Sequence, residues 1–202
     1  FEQHRDIFHL SGIDQEETIL LLYPPSKDEK KREILFIRKS DNHTKVWEGE
    51  KLSKKQASEL SGIDNIYYIE DFEAVLSSIA TKVDTFYINK NEHYRANSPV
   101  ETREDRFISW LLKKYPAQNV AKSNPILQRQ RSIKHPHEID QIKRACEITR
   151  KGFNRILKFI KPNIWEYEIE AEFIHEFINN SSKGFAYSPI IASGHDNNVL
   201  HY

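Results

Sequence analysis

The chain has 202 residues, and its 30 Lys and Arg balance its 30 Asp and Glu, so the formal net charge is zero. No basic excess favours nucleic acid or an anionic membrane surface, and we expect neither as a partner. Apolar residues make up 38% and charged residues 30%, which is typical of a soluble folded protein rather than a disordered one. The apolar runs are much shorter than the roughly 20 residues that span a bilayer.

Cys146 is the single cysteine, which excludes an internal disulfide and a cysteine-based zinc site. A chain with one cysteine and no internal disulfide favours a reducing compartment, and we predict a cytoplasmic location. The sequence begins at Phe1, contains no Met and ends abruptly at Tyr202. We therefore expect the natural protein to start earlier and to continue further.

The first part of the chain alternates between strand and helix patterns. β-Prone apolar runs predict strands over 18–23 and 33–37, joined by a polar loop, and a third strand over 44–47. Ser53 is placed to cap a helix that Gly62 ends. Further strands are expected over 66–69 and 85–88, with helical spacing over 72–80 and 107–112. This alternation predicts an α/β domain over roughly 1–122.

The pattern changes after residue 124. A continuous apolar stripe, which includes Cys146 as a buried thiol, predicts a long helix over 138–161 that Pro162 ends. A second helix is expected over about 165–179. The remaining residues predict a hairpin, with strands in 185–193 and 199–202 around the polar loop 194–198.

Candidate catalytic residues are few. Glu172 and His175 have the spacing of one di-iron ligand pair, but that site needs two such pairs, so we interpret them as a solvated helix face. His135 and His137 flank a proline just before a helix, which favours a helix cap over a metal clip. His201 remains as a candidate, with a packed core histidine as the alternative. These residues alone indicate an α/β protein with an appended α+β segment.

Several segments resemble one known family, in its order and with its gaps. They are residues 8–12 with the strand that follows, the Val-Trp-Glu-Gly of 46–49, the run of 127–139 that ends in Glu-Ile, the Lys-Pro run of 161–170, the Ile-Ile-Ala-Ser-Gly of 190–194 and the Leu-His-Tyr of 200–202. The chain resembles the Xaa-Pro aminopeptidase, or aminopeptidase P, family.

The resemblance implies two domains. Residues 1–124 would form a mixed-sheet α/β domain of the creatinase and aminopeptidase P N-terminal type. Residues 125–202 would begin an α+β pita-bread metallopeptidase domain. The family usually has Gly where this chain has Asn163, and Asn tolerates the left-handed conformation that the turn needs.

The implied activity is release of the N-terminal residue that precedes proline in a peptide, by two divalent metal ions, often manganese. The family's five metal ligands all lie beyond the His-Tyr segment, so the resemblance assigns no ligand to this chain. The resemblance implies that His201 binds substrate and stabilises the tetrahedral intermediate, and that Trp47 reaches the active site of a neighbouring subunit. A homodimer or homotetramer is therefore expected.

Other functions fit the same fold, because fold does not determine chemistry. A non-catalytic binding module, like the histone-chaperone subunits that carry an inactive pita-bread domain, is one alternative. A prolidase or a creatinase-type amidinohydrolase is another. For Trp47, packing of a strand into the core is the alternative to substrate contact.

Overall fold

The structure is a computed structural model that describes residues 1–90 and 99–201. It divides into two compact units, residues 1–130 and 131–202. In the first unit, β1 (Ile19–Leu22) pairs antiparallel with β2 (Glu33–Ile37), and β2 pairs parallel with β3 (Asn65–Tyr68). A second, parallel pair joins β4 (Thr85–Ile88) to β5 (Asn119–Lys122). The predicted mixed sheet is therefore confirmed.

The helices of the described residues separate or follow these strands. They are α1 (Arg5–Ser11), α2 (Asn42–Glu48), α3 (Lys54–Ser61), α4 (Phe72–Ala80), α5 (Arg103–Lys114), α6 (Asn124–Ser132), α7 (Pro136–Phe159) and α8 (Glu166–Asn179). Short 3₁₀ turns occupy Glu29–Lys31, Ile69–Asp71 and Gly194–Asn198. Among the described residues, no helix is both long enough and apolar enough to cross a membrane.

Local capping chemistry determines where α3 begins and ends. The Gln56 amide donates to the Ser53 hydroxyl oxygen at 3.3 Å, and the Ser53 amide donates to the Gln56 side-chain oxygen at 2.9 Å. This reciprocal arrangement satisfies two amides that a helix start otherwise leaves unpaired. Gly62 ends the helix with φ 73°, a left-handed conformation that glycine adopts without steric cost. The helix predicted from Ser53 and Gly62 is confirmed.

Two apolar clusters form the core of the first unit. One packs α3 under the mixed sheet and contains Ile13, Leu35, Ile37, Ala57, Ile63 and Ile66. The other packs α4 and α5 together and contains Leu76, Ala80, Leu111 and Tyr115. Phe36 meets Phe72 edge-on, with ring centroids 5.2 Å apart, which extends the sheet's contacts onto α4.

The second unit is built on the packing of α7 against α8. Phe153 and Phe173 meet edge-on with ring centroids 5.0 Å apart, and Arg155 forms an ion pair with Glu172. Gly152 makes the close approach possible, because a Cβ at that position would lie 2.8 Å from the Phe173 ring. Between the helices, Asn163 has φ 68°, the left-handed turn that the Asn was expected to tolerate.

Much of the apolar stripe predicted for α7 is exposed. Ile156 is buried, but Leu157 is 72% exposed. Cys146 is also exposed, so the prediction of a buried thiol is wrong. The stripe is wider than the face that α8 covers, and within the described residues its remainder faces solvent. The other exposed apolar residues of the helix are Ile139, Ile142 and Phe153.

The hairpin predicted for the end of the chain is also wrong for residues 185–201, since none of them is in a strand; Tyr202 lies outside the described residues. A strand needs a neighbour to share its backbone hydrogen bonds. Here the Ser193 amide donates to the Glu166 carboxylate at 2.9 Å, and the Val199 amide donates to the Asp196 carbonyl at 2.9 Å. A carboxylate of α8 and a local turn therefore use amides that the hairpin would have needed.

The packing at Gly152 leads to a test of the second unit. Gly152→Ala should destabilise it by up to about 2 kcal/mol, because an overpacking cost of about 1 to 3 kcal/mol is only partly offset by the roughly 1 kcal/mol that Ala gains over Gly in a helix. Circular dichroism during urea unfolding measures this change. Adding Phe173→Leu should restore part of the loss, and a Gly152→Ala variant more stable than the parent would contradict the packing.

Candidate functional site

Trp47 lies on the short helix α2 and not on the predicted strand. Asp41 precedes the helix, and its carboxylate accepts a hydrogen bond from the Thr44 amide at 2.6 Å. Hydrogen bonds from Thr44 hold the pKa of Asp41 below its usual value. Gly49 then ends the helix with φ 83°. The cap at Asp41 stabilises a helix start, which overrides the β-propensity of the residues from Thr44 to Trp47.

The apolar residues of α2 face solvent. Val46 is 79% exposed and Trp47 is 76% exposed. The ring centroids of His43 and Trp47 lie 6.3 Å apart in a tilted arrangement. The alternative interpretation of Trp47, as a residue packed in the core, is therefore wrong.

A cluster of charged side chains anchors the end of α2, and we call Glu16, Arg38, Glu48 and Lys51 the Arg38 cluster. Arg38 follows directly after β2, and one of its terminal nitrogens lies 2.8 Å from a Glu48 carboxylate oxygen and 3.2 Å from a Glu16 carboxylate oxygen. Lys51 lies 2.5 Å from Glu16 and 3.2 Å from Glu48. Glu17 adds a carboxylate oxygen 3.7 Å from Arg38 Nε.

The cluster is partly shielded from water, which makes its pairing significant. The Lys51 side chain is only 9% exposed and that of Arg38 is 29% exposed. A shielded ammonium group is stable only when carboxylates compensate for its lost hydration. The cluster therefore joins three segments of chain: the loop before β1, the end of β2 and the end of α2.

Hydrogen bonding within the cluster shifts the pKa of each member towards the charged state. Hydrogen bonds from Lys51 lower the pKa of Glu16 and of Glu48, and for Glu48 a hydrogen bond from Arg38 adds to this. The hydrogen bond with Glu16 raises the pKa of Lys51, and that with Glu48 raises the pKa of Arg38. The ion pairs therefore persist across the neutral range.

His201 lies in a turn after the 3₁₀ segment Gly194–Asn198, and it is exposed. The alternative of a packed core histidine is therefore wrong. The Glu166 carboxylate, in the first turn of α8, ties the segment before this turn by accepting from the Ser193 amide. Trp47 belongs to the first unit and His201 to the second.

Among the other candidates from the sequence, His135 and Glu172 have structural roles. The His135 amide donates to the Glu138 carboxylate at 2.8 Å at the start of α7, as expected for a helix cap. Glu172 pairs with Arg155 across the two helices. Among residues 1–90 and 99–201, no three His, Cys, Asp or Glu side chains come close enough together to hold a metal ion. The described residues thus do not fit a metal centre.

Two family models match the chain in succession. Residues 1–87 match "Aminopeptidase P, N-terminal domain", and residues 140–202 match "Metallopeptidase family M24". The order is that expected from the resemblance of the sequence motifs.

Individual relatives match the chain along its whole length. An Xaa-Pro aminopeptidase of Haemophilus influenzae is 28% identical over 205 residues, covering 100% of this chain and 44% of its own length. A structure described as an aminopeptidase P from Bacillus anthracis has a TM-score of 0.90 at 30% identity, covering 100% of this chain and 48% of that one. A zinc-substituted Escherichia coli aminopeptidase P, in complex with product, has a TM-score of 0.84 at 25% identity over 46% of its chain. The chain therefore spans less than half the length of these relatives.

The pKa shifts in the Arg38 cluster predict how the stability of the chain depends on pH. The pKa of Glu16 is lowered in the folded chain, so its carboxylate stabilises the fold fully above the ordinary Glu pKa of 4.5. This stabilisation is lost as the pH falls below that value. Glu16→Gln should therefore destabilise the chain at pH 7, and the difference from the parent should shrink by pH 3. Urea unfolding at both pH values measures this change.

Glu59→Gln is the control for that test, because it removes only an exposed pair with Lys55 at 3.8 Å. Such exposed pairs contribute little to stability. A Glu16→Gln penalty that is the same at pH 7 and pH 3 would contradict the role assigned to its carboxylate.

Proposed function

We propose that this chain, whose matches along its length are to Xaa-Pro aminopeptidases, is the front part of a metal-dependent peptidase that releases the N-terminal residue preceding proline. The proposal is carried by the succession of the two family matches, over residues 1–87 and 140–202. The substrates are peptides with proline at the second position. An Xaa-Pro bond is a tertiary amide without an N–H group, so a dedicated site is needed to bind and cleave it.

We propose that the two domains are residues 1–124 and 125–202, the second being the start of a pita-bread domain. The family matches fall on either side of this boundary, which supports it. The exposed apolar stripe of α7, with Leu157 at 72% exposure, supports the further proposal that additional M24 sequence covers this helix in the complete enzyme.

The metal centre belongs, in this proposal, to the remainder of the enzyme. We propose two divalent ions there, with manganese as their identity. A bound metal pair would polarise the scissile carbonyl and activate water. We propose that the contribution of this chain is to bind and orient the substrate.

His201 and Trp47 are the residues that we propose for this contribution. An exposed histidine can donate a hydrogen bond to the oxygen of the tetrahedral intermediate, where its charge develops. Trp47 offers a large, exposed apolar ring to the substrate of a neighbouring subunit, in a homodimer or homotetramer. We also propose a cytoplasmic location, which a single cysteine without a disulfide partner supports.

The role of His201 can be tested in the full-length enzyme. With Mn²⁺, the enzyme should release the first residue from an Xaa-Pro-Xaa peptide. His201→Ala should lower kcat/KM by about 10²-fold or more, because one donor to the oxyanion is lost. Chromatographic measurement of the released amino acid at several substrate concentrations gives kcat and KM.

His195→Ala is the matched control, since His195 is exposed in the neighbouring 3₁₀ segment. It should leave kcat/KM near the parent value. An unchanged kcat/KM in His201→Ala would remove His201 from the mechanism, and a full-length protein that cleaves no such peptide would favour a binding module.

The location of the metal centre gives a separate test. The 202-residue chain alone should neither bind Mn²⁺ tightly nor cleave an Xaa-Pro peptide. Titration of Mn²⁺ followed by electron paramagnetic resonance measures the binding directly. Stoichiometric, tight Mn²⁺ uptake by this chain would contradict the proposed division of the active site.

A further inference from the structure

The helix α2 has few buried contacts that could fix its orientation. It has seven residues, of which Thr44 alone is buried. An isolated helix of this length is not stable in water, because nucleation is costly and few hydrogen bonds repay it. Contacts outside the helix must therefore hold it.

The exposure of Val46 and Trp47 shows how far α2 stands out from the surface. Successive residues of an α-helix point about 100° apart. Both side chains are nevertheless more than three-quarters exposed, at 79% and 76%. Solvent therefore reaches α2 over a wide arc, and the direction of Trp47 depends on how the ends of the helix are anchored.

Both ends of α2 have polar anchors. At the start, the Asp41 carboxylate caps the Thr44 amide. At the end, Glu48 accepts hydrogen bonds from two nitrogens of the Arg38 guanidinium, at 2.8 and 3.4 Å. Since Arg38 follows the buried strand β2, the second anchor connects α2 directly to the mixed sheet.

Lys51 completes the anchor from the other side. Its ammonium group lies between Glu48 and Glu16, at 3.2 and 2.5 Å, and its side chain is 9% exposed. Lys45 and Glu50 form a separate pair at 2.9 Å, and both side chains are largely exposed. The two pairings lie near each other in sequence but differ in burial, which supplies a matched comparison.

We propose that Arg38 and Lys51 are positioning residues that, through Glu48 and Glu16, hold α2 and so present Trp47 to the substrate. This inference rests on the proposed contact between Trp47 and substrate. It assigns to the Arg38 cluster an effect on substrate binding, in addition to its effect on the stability of the unit.

The first experiment measures the presentation of Trp47 without using activity. In the 202-residue chain labelled with 5-fluorotryptophan, ¹⁹F NMR resolves the three tryptophans, and Trp47→Phe identifies the resonance of Trp47. Glu48→Gln and Lys51→Met should shift or broaden that resonance and leave those of Trp110 and Trp165 unchanged. Glu50→Gln, the matched control, should leave all three unchanged, and Lys51→Arg should restore the parent spectrum.

Two results would overturn the positioning role. One is an unchanged Trp47 resonance in both Glu48→Gln and Lys51→Met. The other is an equal change at Trp110, a half-buried residue packed against the second core cluster, which would show that the cluster only stabilises the unit.

The second experiment uses the full-length enzyme. Trp47→Ala and Glu48→Gln should each raise KM for an Xaa-Pro-Xaa peptide by a similar factor, about three- to tenfold, and leave kcat nearly unchanged. Lys51→Arg should have the KM and kcat of the parent enzyme. If Trp47→Ala raises KM and Glu48→Gln does not, the positioning role is overturned. If Trp47→Ala has no effect, the substrate contact proposed for Trp47 fails, and the ¹⁹F spectra alone then decide whether the cluster holds α2.

Discussion

The strand β2 lies between β1 and β3, and its last four residues are the most buried stretch of the first unit. Ile34 is 5% exposed, and the three residues that follow are fully buried. The register of this strand is hard to shift, because a slip of one residue would carry the charged Glu33 or Arg38 into a buried position. The position of Arg38, immediately after the strand, is therefore determined by the packing of the core.

This constraint connects the core to the surface in short steps. The core places Arg38, Arg38 binds Glu48, and Glu48 ends the helix that exposes Trp47. The second unit has a corresponding sequence of contacts. The packing of Gly152 against Phe173 joins α7 to α8, and the start of α8 holds Ser193 through Glu166. In each unit a buried contact is followed by a polar one that restrains a proposed functional segment.

Strong local signals made most of the first unit predictable from sequence. β1, β2 and β3 follow apolar runs, and α3 follows the Ser53 cap. α1, β5 and α6 were not predicted. β5 has only two apolar residues and depends on pairing with β4, and Asn124-Pro125, where the sequence pattern changes, begins α6. The segment at Trp47 was misassigned because its β-propensity was given more weight than the local cap at Asp41, and because the contact of Glu48 with Arg38 is tertiary.

The candidate site was predictable only through resemblance to a family. Periodicity and spacing left His201 as a possible core residue, and the structure shows both His201 and Trp47 exposed. The Arg38 cluster could not be predicted, because its members come from separate segments and each, in isolation, is typical of a charged surface residue.

The most direct test of the proposed function is a crystal structure of the full-length enzyme with a non-hydrolysable Xaa-Pro peptide analogue. We expect His201 to lie within hydrogen-bonding distance of the scissile carbonyl oxygen, next to a metal pair held by residues beyond this chain. An analogue bound away from His201, or a full-length protein without a metal pair, would contradict it.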